Sequence, residues 1–266
     1  MTEPSQTLAG FVDALQASGR YTFHRSEALT SLGMSAIALK KAARRLAAKG
    51  RLAAPRRGFF VIVPLEYRSA GAPPPSWFID DLMRFQARPY YVGMLSAAAL
   101  YGAAHQQPQE FQVVTDTALR VATAGRSRIR FFAKKTVRST PVAPLKTETG
   151  TMLVSTPEGT ALDLVRYARG AGFLDNIATV LGDLAERIDG KALVQAARKE
   201  AELAHVQRLG YLLDRVATET LTAPLAKWLR DQCPRATPLR AGRSSRGARK
   251  DDRWLVLVNQ KIEVDE

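Results

Sequence analysis

The sequence holds a single cysteine, Cys233, so no internal disulfide can form and a reducing compartment suits the chain. That residue precedes Pro234 and reads as structural or incidental. Histidine is nearly as scarce. His24, His105 and His205 are scattered, with no H-x-x-x-H, C-x-x-C or neighbouring carboxylate cluster, so no metal is expected and each reads as structural or exposed. Phosphate-cradling G-x-x-x-x-G-K-[ST] and dinucleotide-binding G-x-G-x-x-G signatures are missing too, which leaves no cofactor to expect. Gly93-Met94-Leu95-Ser96-Ala97 lacks the second glycine of a nucleophile elbow, and Ser96 reads instead as the N-cap of a helix running through Leu100. No apolar run of about 18 residues occurs, and Met1 to Phe11 lacks a basic segment followed by an apolar one. The expectation is a cytoplasmic protein that is not an enzyme and has no membrane partner.

Acidic residues are the other shortage. Lys and Arg total 39 against 25 Asp and Glu, a net charge of +14, which is the mark of a surface that meets polyanions. A chain of 266 residues exceeds one minimal domain at roughly 100 to 200 residues each. The clearest break is S-A-G-A-P-P-P-S at 69–76, where three consecutive prolines forbid helix and favour an extended spacer. The reading is therefore α+β, with an N-terminal winged helix-turn-helix at 1–68, a Pro-rich linker at 69–76 and a larger mixed α/β domain at 77–266. A stretch at 234–250 with six basic residues and no acid reads as a mobile basic loop.

In the first domain, Leu8, Phe11, Val12 and Leu15 set one amphipathic helix, and a second short helix spans about Ser26 to Ser31. Gly33 supplies the positive φ of a tight turn, Ser35 is a good N-cap, and a third helix runs from Ala36 to Lys49. Leu39, Ala42, Ala43 and Leu46 fall within about 100° of arc and must face the core. Lys40, Lys41, Arg44 and Arg45 occupy the other face. No acid lies between Glu27 and Glu66, so these cations have no local partner and point to phosphates. Ile37 sits among them, with two placements open: contact with a thymine methyl, or packing on the wing. R-L-A-A-P-R-R-G-F-F-V-I-V, from Arg51 to Val63, reads as two strands around a Pro-Arg-Arg-Gly turn, a wing whose Arg56 and Arg57 reach backbone or minor groove.

Further along, Phe111–Thr115, Arg128–Ala133 and Thr151–Val154 read as strands. Thr156-Pro157-Glu158 opens a helix to about Arg169, followed by helices at Leu174–Arg187, Lys191–Lys199, Ala201–Ala217 and Pro224–Asp231. Trp254–Val258 and Lys261–Val264 read as a closing strand pair. Between Asp116 and Glu148 there is no acid, and Arg126, Arg128, Arg130, Lys134, Lys135 and Arg138 form a second basic surface. It either extends the DNA footprint or docks an acidic protein or an RNA-bound partner. A nuclease reading fails on Asp251, Asp252 and Asn259-x-Lys261, because Asn259 stands where a metal-binding carboxylate is needed.

The order of motifs resembles the AbiEi antitoxins of type IV toxin–antitoxin systems, including solitary mycobacterial-type relatives. The matching text is A-x-x-x-A-A-R-R-L-A-A-K-G-R-L (38–52), P-R-R-G-F-F-V-I-V-P (55–64), Y-V-G-M-L-S-A-A-A-L-Y-G (91–102), F-Q-V-V-T (111–115), T-P-E-G-T-A-L-D-L-V (156–165) and L-D-N-I-A-T-V-L (174–181). One departure is Gly159, where relatives commonly carry Arg. The resemblance implies an antitoxin that represses its own operon by binding inverted repeats in double-stranded DNA. It also implies a C-terminal domain that counteracts a nucleotidyltransferase toxin without a stable complex. A stand-alone winged-helix regulator with no toxin partner is the alternative.

Overall fold

A computed structural model describes residues 7–103 and 108–263; His105 and Val264, on which sequence readings fell, lie outside the described residues. The N-terminal part runs α1 (Leu8–Ala17), β1 (Thr22–His24), α2 (Arg25–Leu32), α3 (Ala36–Ala48), β2 (Leu52–Arg56) and β3 (Phe59–Ile62), with the strands ordered β1-β3-β2. This is a winged helix. Leu8, Val12, Leu15, Phe23, Leu39, Leu46 and Ile62 close a small core between helices and hairpin. Strand β1 is three residues long, too short for alternation to betray it, and exists because β3 offers it an edge.

Next come α4 (Ile79–Phe85), β4 (Tyr90–Val92), α5 (Met94–Leu100), β5 (Phe111–Thr115), β6 (Ala122–Ala124), β7 (Ser127–Ala133), β8 (Val142–Thr147) and β9 (Gly150–Ser155). The strands form one mixed sheet in the order β6-β7-β5-β4-β9-β8. Alternation divides its two faces. Tyr90, Val92, Val113, Ile129, Phe131, Met152 and Val154 face one way and share a core with α4 and with Phe59 and Val61 of the winged helix. Tyr91 and Val114 face the other way with Val137, beside Phe132 and Tyr167. Ser96, expected as an N-cap, lies inside α5 instead; its buried hydroxyl accepts from the Gln112 amide, and Gly93 takes the cap position.

The stretch at 69–76 is not a free spacer. Ala72 is buried in the shared core, the Arg126 amide donates to the Ala70 carbonyl at 2.8 Å, and Trp77 meets the rings of Tyr21 and Tyr67 edge-on. Nor is the stretch extended throughout: residues 68–71 turn, Pro75 opens a 3-10 helix over Pro75–Trp77 because proline suits a first helical position, and buried Ala72 and Pro73 hold the segment against the core.

The remaining chain is helical: α6 (Pro157–Arg166), α7 (Phe173–Ala185), α8 (Gly190–Arg198), α9 (Leu203–Val216) and α10 (Glu219–Asp231), packed around Leu162, Ile177, Leu181, Leu209 and Leu225. Helix α10 begins five residues before Pro224, where the sequence reading started it. A proline in the second turn is tolerated here because Thr220, whose carbonyl would have accepted from it, is exposed to water.

The closing strand pair also needs correction. Strand β12 (Val256–Val258) pairs with β10 (Thr237–Pro238) and β11 (Arg249–Asp251), both from the basic loop, while Lys261–Glu263 form no strand. Asn259 pins that loop by donating to the carbonyls of Arg240 and Arg243, so the 234–250 segment is tied down at both ends and in its middle. Trp254 is fully buried against α9, its indole donating to Asp214 at 2.6 Å, and a Cβ on Gly210 would lie 2.1 Å from its ring. Gly210→Ala is therefore expected to cost about 1–3 kcal/mol by overpacking, read as a lower Tm; an unchanged melt would mean that the Trp254 seat is loose.

Candidate nucleic-acid interface

Helix α2 ends at Gly33, whose φ of +58° turns the chain sharply into α3. Ser35 caps α3 by accepting from the Ala38 amide at 3.2 Å, which fixes the first turn of the helix. Leu39, Ala43 and Leu46 are buried, Ala42 is half-buried, and Lys40, Lys41, Arg44 and Arg45 are exposed on the other side. Ile37 does not pack on the wing. Its side chain stands 70% exposed among these cations, an apolar group that contributes nothing to the core.

Pairing separates structural cations from available ones. Glu27 holds Arg20 at 2.8 Å, and Asp13 holds Arg51. Those are the acids of α1 and α2, and both are taken. Lys40, Lys41, Arg44, Arg45, Lys49 and Arg57 have no carboxylate within 4 Å among the described residues. Five exposed cations on one helix repel one another, and neutralisation by a polyanion relieves that repulsion. Arg25, which the sequence reading passed over, joins Lys40, Arg44 and Arg57 in lining the groove between α3 and the wing. Its position at the start of α2 carries no periodic signal, so only the fold places it there.

The wing itself departs from expectation. Arg57 is exposed at the turn, but Arg56 bends back: its guanidinium donates to the Val121 carbonyl at 3.1 Å and to the Arg120 carbonyl, and lies over the Phe131 ring. Burial with no acid beside it lowers the Arg56 pKa from its ordinary value. Elsewhere on the same junction Thr22 donates to Asp81 at 2.6 Å, and the rings of His24 and Phe59 lie tilted against Phe85 at 4.9 and 5.5 Å. Arg56 is thus a clamp between wing and sheet. The exposed Arg120, whose carbonyl it holds, is brought beside the wing.

The second basic surface is also thinner than its sequence suggests. Arg126, Lys135 and Arg138 are exposed, but Arg128 and Arg130 both pair with Glu110 at 3.2 and 3.3 Å. Lys134 does not belong to it. Its side chain is buried, with Nζ 2.8 Å from Asp163 and 3.5 Å from Glu200. Tyr91 donates to the other Asp163 oxygen at 2.7 Å, and Arg166 binds Glu200. Burial alone would raise the Glu200 carboxyl, yet His205, Lys134 and Arg166 outweigh it and hold it down at about 2.

The T-P-E-G-T-A-L-D motif is now explicable residue by residue. Thr156 caps α6, Pro157 takes its first position, and Glu158 accepts from the Asp189 amide ahead of α8. Thr160 bonds Ser155 at 2.7 Å, and Asp163 anchors Lys134. Residues 91–215, which hold this whole network, match the family described as AbiEi antitoxin C-terminal domain. The fold is similar to that of the Rv2827c protein from Mycobacterium tuberculosis, with a TM-score of 0.63 at 18% identity, covering 92% of this chain and 89% of that one. No curated protein matches the sequence.

Within residues 91–215, Gly159 packs against Thr140 and Pro141 just ahead of β8: a Cβ there would meet the Pro141 carbonyl at 3.2 Å, so a larger residue requires a small shift of 140–141. The residues weighed for nuclease chemistry do structural work. Asp251 accepts from the Trp254 amide, Asp252 pairs with Lys250, Asn259 pins the basic loop and Lys261 pairs with Glu263. No group of three metal-binding side chains occurs among the described residues, and no helix among them is long and apolar enough to cross a membrane. Cys233 is exposed.

Proposed function

We propose that the chain is a DNA-binding antitoxin that represses its own operon and counteracts a nucleotidyltransferase toxin. The observation that carries the DNA half is the set of exposed, unpaired cations on one face of the capped helix α3. The AbiEi domain carries the antitoxin half. In this reading residues 1–68 contact DNA, 69–76 connect, and 77–266 neutralise the toxin. Ser35 presents the N-terminus of α3 to a backbone phosphate, Ile37 meets a thymine methyl, and Lys40, Lys41, Arg44, Arg45 and Arg57 take phosphates or base edges. Two protomers share an inverted repeat on double-stranded operator DNA, and neutralisation proceeds in the cytoplasm without a stable toxin complex.

Co-expression with a nucleotidyltransferase toxin tests both halves. The full chain should restore growth and silence a reporter on its own promoter, and Lys41→Ala/Arg44→Ala should still restore growth while losing repression. Joint loss of both in a folded variant would refute the division of labour. Repression without protection would favour the stand-alone regulator.

A further inference from the structure

On the far side of the sheet from the winged helix, α9, the 3-10 turn at 168–171, the start of α7 and the tied basic loop enclose a cleft of about 510 Å³. That size suits a small ligand. Arg130, Arg166, Arg169, Arg208, Arg240 and His205 line it, and among the described residues no carboxylate does. Pairing again tells which charges are available. Arg130 is neutralised by Glu110, and Arg166 by Glu200 and Glu202. Arg169, Arg208 and Arg240 have no carboxylate within 4 Å among the described residues. Arg208 is half-buried and donates to the Pro238 carbonyl at 2.9 Å and the Thr237 hydroxyl at 3.2 Å, which tie β10 to α9 but leave its charge unneutralised, and burial lowers its pKa from the ordinary value. Beside them the buried Nε of Arg166 has no hydrogen-bond partner among the described residues, whereas the Nδ1 of His205 faces Glu200 at 3.5 Å.

The aromatic side of the cleft is equally unusual. Phe173 is 49% exposed and holds a φ of +66°, a strained conformation for a residue with a side chain. It opens α7 directly after Gly172, which takes the cap position, and its ring lies 5.7 Å beneath the Arg240 guanidinium. Phe132 and Tyr167 continue the aromatic wall, 5.1 Å apart. Unpaired guanidiniums match phosphate oxygens in the fork geometry they prefer, and an exposed ring offers a face to a base.

We propose that this cleft binds a nucleoside phosphate, with Arg169, Arg208 and Arg240 on its phosphates and Phe173 stacked on its base. The site lies apart from the α3 cations and does not depend on how those are used. The test is calorimetric titration of the full chain with each of the four ribonucleoside triphosphates, with inorganic tripolyphosphate and with the unphosphorylated nucleosides. At least one triphosphate should bind about tenfold more tightly than tripolyphosphate, because the base adds stacking. Arg169→Ala/Arg240→Ala should weaken it by tenfold or more, about what the loss of two charge-assisted contacts gives. Phe173→Leu should lower triphosphate binding to the tripolyphosphate level while leaving tripolyphosphate itself unchanged. Hydrogen exchange of the folded chain with the bound triphosphate should slow at 168–175 and 239–242. Equal binding of tripolyphosphate and every triphosphate overturns the proposal, and so does protection that falls on α3 instead.

Discussion

Lys134→Met should lower the Tm by roughly 10 °C, corresponding to a loss of about 3–5 kcal/mol. The reason is the asymmetry of a buried ion pair. While Lys134 is present, the fully buried Asp163 has an ammonium at 2.8 Å and the Tyr91 hydroxyl at 2.7 Å. Removing the lysine leaves a carboxylate with one hydrogen bond in an apolar setting, and it must either protonate or admit water. A second substitution makes the claim sharper. Asp163→Asn added to Lys134→Met removes the orphaned charge and keeps an acceptor for Tyr91, so more than half of the lost stability should return. A single mutant that melts like the parent would show that Lys134 is not the partner of Asp163. A double mutant no better than the single would show that packing, not charge, sets the cost.

Lys41→Ala/Arg44→Ala should weaken binding to the chain's own promoter DNA by roughly 10- to 100-fold near physiological salt, and should reduce the log–log salt slope by about 1.8, or about 0.9 per phosphate contact. Both side chains are exposed on α3 and unpaired among the described residues, so their whole charge is available to phosphate. Arg20→Ala is the matched control. Arg20 is as basic but already spends its charge on Glu27, so its loss should change affinity less than about threefold. An unchanged slope in the double variant, or an equal loss in the control, would remove α3 from the interface. A base-reading role at either position would instead relax specificity at one operator position while leaving the slope almost intact.

Much of this protein is legible without coordinates, and the reasons are local. Leu39, Ala43 and Leu46 declare a buried stripe because helix geometry repeats every few residues; Gly33 and Ser35 declare a turn and a cap because few residues can fill those positions. The strand at 111–115 and the T-P-E start of α6 speak in the same short-range terms. The acid-free stretch from 28 to 65 likewise fixed where unpaired cations would gather.

What the sequence could not decide was where each charge ends up, because that depends on residues far along the chain. Arg56 and Arg57 are neighbours with the same side chain, yet one clamps the wing to carbonyls at 120 and 121 and the other stands in solvent. Lys134 and Lys135 are neighbours as well, just past the end of β7, and one enters an ion pair with Asp163 and Glu200 while the other stands exposed in the turn that follows. The shared core that seats Phe59 and Val61 against the sheet, and the cleft where Arg169, Arg208 and Arg240 meet, have the same origin. By itself the sequence determined most of the helices, the caps at Ser35 and Thr156 and the sign of the surface, which follow from neighbours within one or two turns. Only the tertiary structure decided which cations are neutralised and which remain free, since pairing a charge requires a partner that chain connectivity does not bring close.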